Sequence, residues 1–221
     1  MVRCILDSLT ITKNASSSVF IAGLVGMVLL YFTAEPLHLI KRPVKYGSPY
    51  HHIMLAATRH GVNQSLLLGI SDIETIGTFD PKIRPRNRKT GKFIGTARGL
   101  FQFINSTGTM YGLTHQSDAA AQADAGARFT RDNIRGLKMV HPNPPPGSVY
   151  LAHFLGLGDA KKVLAAPNHA ISTNVLREQV FKNNVFLKKY KQIGGIKRWA
   201  TRKMKRAMSR HDPSNVKVYM R

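Results

Sequence analysis

Cysteine is almost absent from this chain, and acidic residues are scarce. The single cysteine, Cys4, excludes an intrachain disulfide and a cysteine-based metal site. Only 11 acids stand against 33 lysines and arginines in 221 residues, a formal charge of +22. That balance is extreme for a soluble metabolic enzyme and implies an anionic partner, whether nucleic acid, anionic lipid or an acidic polymer such as a cell wall. Long β-branched alternation and internal repeats are also missing, so the chain reads as mostly α. His51, His52 and His60 share a short segment, but no carboxylate or cysteine completes a ligand set there. No metal and no cofactor is expected.

One stretch lacks charge altogether. Val19 to Ala34 (VFIAGLVGMVLLYFTA), extended by Ala15 and the serines after it, approaches the ~20 apolar residues that cross a bilayer. A signal peptide would place a small residue where Phe32 stands before the tempting cleavage site at Ala34. Residues 1–35 therefore read as a retained single-span membrane anchor, with a signal peptide as the competing reading. Basic residues on both sides (Arg3 and Lys13, then Lys41, Arg42 and Lys45) leave its orientation open.

Residues 36–49 read as a proline-containing basic linker, and residues 50–170 as the compact domain. That domain opens with a helical pattern through Ile53, Met54 and Ala57, breaks at Gly61 and restarts after Asn63, a good N-cap. Pro81 to Gly95 reads as an irregular loop or small hairpin. Helices are expected from about Gly99 to Tyr111, from about Asp118 to Arg135, and from Ser148 to Leu155. The prolines of Pro142–Pro146 form a rigid surface loop between the last two. Residues 171–221 read as a basic helical tail. Ile196, Trp199, Ala200, Met204, Ala207 and Met208 share one helical face there, and lysines and arginines cover the rest. Such a helix suits an anionic membrane surface or a partner groove, or docks its apolar side on the domain. Nucleic acid has no aromatic platform or known binding motif to support it.

Glu74 is the acid out of place. It closes a segment in which Leu66, Leu67, Ile70 and Ile73 recur at helical spacing, so it projects beside a buried stripe. A carboxyl at such a border loses hydration, its pKa rises, and it can serve as a general acid. The nearby acids are Asp72, on a different helical face, and Asp80, in an Asp-Pro turn that it would occupy most simply as a turn residue.

The blocks Glu74-Thr75, Phe79-Asp80-Pro81 and Gly95-Thr-Ala-Arg-Gly-Leu-Phe-Gln102, followed by Ser106-Thr107 and Tyr111-Gly112, resemble the lytic transglycosylase family with its goose-type lysozyme-like fold. The resemblance covers roughly Tyr50 to Ala170. It implies cleavage of the MurNAc–GlcNAc β-1,4 bond of peptidoglycan, with one glutamate acting first as acid and then as base while the sugar's own 6-hydroxyl closes a 1,6-anhydro product. Glu74 takes that role by resemblance. Thr75 replaces the usual serine and keeps a hydroxyl able to bond the glutamate. Gly99 would let backbone approach the sugar, Gln102 would donate to an N-acetyl or hydroxyl group, and Phe103 would form apolar wall or core. The family's late Ala-Tyr-Asn-x-Gly motif is altered, with His153 at the tyrosine position and Phe154 at the asparagine. His153 is then expected to bond Glu74 or a sugar, or Tyr150 to substitute.

The expected protein is a membrane-anchored wall-cutting enzyme, virion-associated or facing the periplasm, opening peptidoglycan locally during phage infection or release. Its expected partners are glycan strands, the lipid membrane and other virion or envelope-complex proteins. A secretion or conjugation enzyme, a plain muramidase and a non-catalytic structural protein on the same fold are the alternatives.

Overall fold

The computed structural model describes residues 42–86, 90–93 and 95–220. The expected anchor, residues 1–35, and the start of the linker lie outside them. Among the described residues no helix is long and apolar enough to cross a membrane.

The chain is mostly helical, as its periodicity predicts. The linker, however, contains a strand, β1 (Arg42–Lys45). Ser48 then caps α1 (Pro49–Arg59), accepting from the His51 amide, with Pro49 in the first turn. Asn63 caps α2 (Gln64–Thr75) through its side chain and the Leu66 amide at 2.9 Å, as expected. The loop after α2 holds one isolated antiparallel bridge, Arg86 to Phe93.

The helix expected over 99–111 is shorter. It is α3 (Asn105–Met110), because Gly99 and Gln102 adopt left-handed φ values of 72° and 48° that interrupt helical geometry. Asp118 caps α4 (Ala119–Leu137), whose Ala123, Ala125 and Ala127 are fully buried. α5 (Pro146–Leu155) starts earlier than Ser148, since a proline is tolerated in the first turn where its missing N–H would be unpaired anyway. Gly156, with φ 86°, ends it, and α6 (Leu157–Ala165) follows at once.

The expected separate tail, residues 171–221, belongs to the same body over its described residues 171–220. After α7 (Ser172–Val175) and α8 (Glu178–Asn183) comes α9 (Ile193–Ser209), which lies against α2 and α5. Ile196, Ala200, Met204 and Ala207 are fully buried there, so the apolar face of the basic helix finds its partner within the chain. Two glycines allow the approach. A Cβ on Gly69 of α2 would sit 3.2 Å from Met204 Cε, and one on Gly147 of α5 would sit 2.8 Å from the Thr201 nitrogen. After α9, β2 (Val216–Tyr219) pairs in parallel with β1, Val44 opposite Val218. Beside this seam the buried Asp72 carboxylate is ion-paired with Arg210 and lies 3.5 Å from His211 Nε2.

Candidate active site

Glu74 is the penultimate residue of α2, and the chain turns sharply just beyond it. Ile76 and Phe79 have left-handed φ values of 55° and 51°. A β-branched residue in that region is strained, and Ile76 is also 83% exposed, so burial of its side chain does not hold it there. The Thr75 hydroxyl braces the turn by donating to the Ser71 carbonyl at 2.7 Å and accepting from the Phe79 amide at 3.1 Å. It is thus committed to backbone and does not bond Glu74 as expected, because a helical threonine reaches the carbonyl four residues back more readily than its neighbour's side chain. The non-glycine residues of the described chain with left-handed φ (Ile76, Phe79 and Gln102) all fall within residues 74–81 and 95–102.

The Glu74 side chain is 17% exposed. Burial pushes its pKa up to about 7, against the opposing pull of the Lys203 charge and a hydrogen bond from Tyr150. Tyr150, itself buried on α5, has its pKa raised by burial and by Glu74, so the phenol stays protonated and donates. Lys203 projects from α9 and stands 5.5 Å over both the Tyr150 and Trp199 rings, and its partial burial lowers its pKa. Sequence reasoning counted Lys203 among solvated charges. Its spacing of four from Trp199 places the two on one stripe and was the available signal.

His153 does not bond Glu74. Its Nε2 lies 3.0 Å from the Phe101 carbonyl and 3.9 Å from Glu74 Oε1. A carbonyl can only accept, so Nε2 carries the proton and donates it to Phe101. Burial pushes the imidazole pKa down to about 4, which keeps the ring neutral near neutrality. Its Nδ1 is buried and has no hydrogen-bond partner among the described residues. The histidine therefore anchors the 99–103 turn, and Tyr150 is the group that meets the carboxylate.

Other expected contacts are also reassigned. Gly99 is required by protein rather than ligand: a Cβ there would lie 2.1 Å from Gln122 Oε1. That oxygen accepts from the Leu100 amide at 2.9 Å, while Gln122 Nε2 donates to the Pro81 and Ser117 carbonyls, so Gln122 ties three loops together. Gln102 Nε2 donates to the carbonyls of Gly99 at 2.9 Å and Ile83 at 3.2 Å. Its donors are used, and its amide oxygen is the atom left to meet a ligand. Phe103 is core, stacked on Phe101 and Tyr111 and edge-on to Phe129 at 5.2 Å. Tyr111 donates to Asp132 at 3.0 Å. A cavity of about 880 Å³ opens beside this cluster, lined by Phe101, Phe103, Lys82, Arg84 and Arg98 among others. Glu74 does not line it.

The remaining acids separate Glu74 from the rest. Asp72 pairs with Arg210, and Asp80 accepts from the Lys82 amide as a turn residue. Asp118 and Asp212 accept from nearby backbone amides. Asp124, Asp132, Asp159 and Glu178 are ion-paired with lysine or arginine. Among the described acids, Glu74 alone has neither a cap nor a basic side chain closer than the neutral His153. No group of histidines, cysteines and acids able to hold a metal exists among the described residues.

No family model matches the chain.

Proposed function

We propose that the chain is a peptidoglycan lytic transglycosylase on a goose-type lysozyme-like fold, with Glu74 as the only proton donor and acceptor. The observation that carries this reading is the Glu74 carboxyl: dehydrated, raised to about 7, and the one described acid with neither a capping role nor a close basic partner, held by the Tyr150 hydroxyl. A group that titrates near neutrality can both give and take a proton there.

The protonated carboxyl gives its proton to the glycosidic oxygen as the bond from that oxygen to the sugar C1 breaks. The carboxylate left behind is held by the Tyr150 hydroxyl and faces the Lys203 charge. It then takes the proton of the sugar's 6-hydroxyl as that oxygen bonds to C1, which closes the 1,6-anhydro ring and restores the acid. No water is consumed, and no second carboxylate is needed. Glycosidases that hydrolyse by the usual route place a pair of carboxyls across the bond. The two acids nearest in sequence are engaged elsewhere, Asp72 by Arg210 and Asp80 in its turn.

The cavity beside Phe101 and Phe103 offers an apolar edge and the cations Lys82, Arg84 and Arg98 for the carboxylates of wall glycans. The high positive charge favours the same polymer. An apolar anchor in residues 1–35 would hold the enzyme at a membrane and confine cutting to one place, as in phage infection or release. The test is a zymogram on purified wall. The wild type is expected to clear it, and Glu74→Gln to lose about 10²–10⁴-fold of the rate, the usual contribution of a general acid. Full clearing by Glu74→Gln would overturn the assignment.

A further inference from the structure

A second pocket lies on the side of the α5–α9 pair formed by Gly147, Ser148 and Leu151 of α5 and by Arg198, Thr201 and Arg202 of α9. Its volume is about 410 Å³. Glu74 does not line it, and neither Tyr150 nor Lys203 does, so it is distinct from the proposed catalytic centre.

The groups around it are donors. α5 has no side-chain cap at its N-terminus, so its first amide, on Gly147, stays available and the helix end carries partial positive charge. Ser148, only 6% exposed, lines the pocket, and its hydroxyl makes no hydrogen bond among the described residues. Arg198 and Arg202 stand one helical turn apart at the mouth, and neither pairs with an acid among the described residues. Lys197 also lines the wall, with its ammonium bonded to the Leu164 and Ala166 carbonyls at 3.2 and 2.7 Å. No acid lines the pocket. Leu151 and Leu164 supply an apolar flank.

We propose that this pocket binds a phosphate ester. The Ser148 hydroxyl, a helix N-terminus and two guanidiniums from a second helix line one pocket, a donor set drawn from two elements that suits a tetrahedral oxyanion. The volume exceeds what a bare phosphate needs, and the leucine flank accommodates the organic part of the ester. The phosphate comes either from a lipid headgroup or from a soluble ester, and the chemistry of the pocket is the same for both.

The test uses the full chain in nonionic detergent, with inorganic phosphate titrated by calorimetry. It also uses flotation with phosphatidylglycerol vesicles, against phosphatidylcholine vesicles that report any contribution of the apolar N-terminus. Arg198→Gln/Arg202→Gln removes the mouth cations. Lys205→Gln/Arg206→Gln makes the same charge change on an exposed part of α9 outside the pocket. Ser148→Ala removes the pocket hydroxyl, and melting curves establish that each variant is folded.

Phosphate is expected to bind saturably, tenfold or more weakly to Arg198→Gln/Arg202→Gln and severalfold more weakly to Ser148→Ala. Lys205→Gln/Arg206→Gln should lie within twofold of the wild type. A parallel drop in phosphatidylglycerol flotation for the pocket variant identifies the headgroup as the source, and unchanged flotation identifies a soluble ester. No saturable phosphate binding, or equal losses for the two arginine-containing double variants, would overturn the proposal.

Discussion

Glu74 sits where an acid weakens the fold, and that cost gives a test independent of activity. Its folded pKa of about 7 lies above the ordinary 4.5, so the folded chain holds a proton that the unfolded chain releases between those values. Stability therefore falls as pH rises through that window. Glu74→Gln carries no such penalty, and it should be more stable than the wild type above pH 7 by up to about 3 kcal/mol, with the gain vanishing below the unfolded pKa. Denaturant titrations at acid and alkaline pH measure this, and a loss of stability at pH 8 would mark Glu74 as structural. The same pKa sets the pH profile: kcat/KM should decline above about pH 7 as the acid form is lost. Tyr150→Phe removes a donor to the carboxylate, so that limb should move to higher pH while the rate falls roughly 10- to 100-fold, as expected for a hydrogen bond to a charged group. Glu74 was legible in the sequence because an acid interrupts an apolar helical stripe. Its partner was not, because the choice between Tyr150 and His153 depends on which one the Phe101 carbonyl captures, some fifty positions away in the chain.

Packing decided two elements, overturning the sequence signal at one and choosing among open readings at the other. The turn at 99–104 carries helix-forming residues, yet Gly99 must admit Gln122, and that contact outweighs local propensity. Gly99→Ala would add both a clash and strain at a φ of 72°, and should cost about 1–3 kcal/mol and depress activity by displacing Leu100 and Phe101. A melting curve and a wall-clearing assay report the two effects. For α9, the sequence left open a membrane surface, a partner groove or the domain itself as the cover of its apolar face. The cover is α2 and α5. Met204→Ala should therefore cost about 2–5 kcal/mol, a core penalty, where a helix lying free on the surface would show almost none.

At the scale of the whole molecule, the two ends of the described chain are joined. β1 pairs with β2, Arg210 reaches the buried Asp72 of α2, and α9 brings Lys203 to the site. The family-like blocks cover the middle of the chain, so they could not reveal that its C-terminal quarter completes the body. Removing residues 193–221 should leave the α2 and α5 faces uncovered and abolish cooperative unfolding, seen as a loss of the thermal transition. The central claim is that one carboxyl performs both proton transfers, and product mass tests it most directly. Purified wall digested by the full chain and analysed by mass spectrometry should yield muropeptides with 1,6-anhydro ends, each one water lighter than a hydrolytic product, and Glu74→Gln should yield none. Products with reducing ends, carrying the added water, would contradict the account.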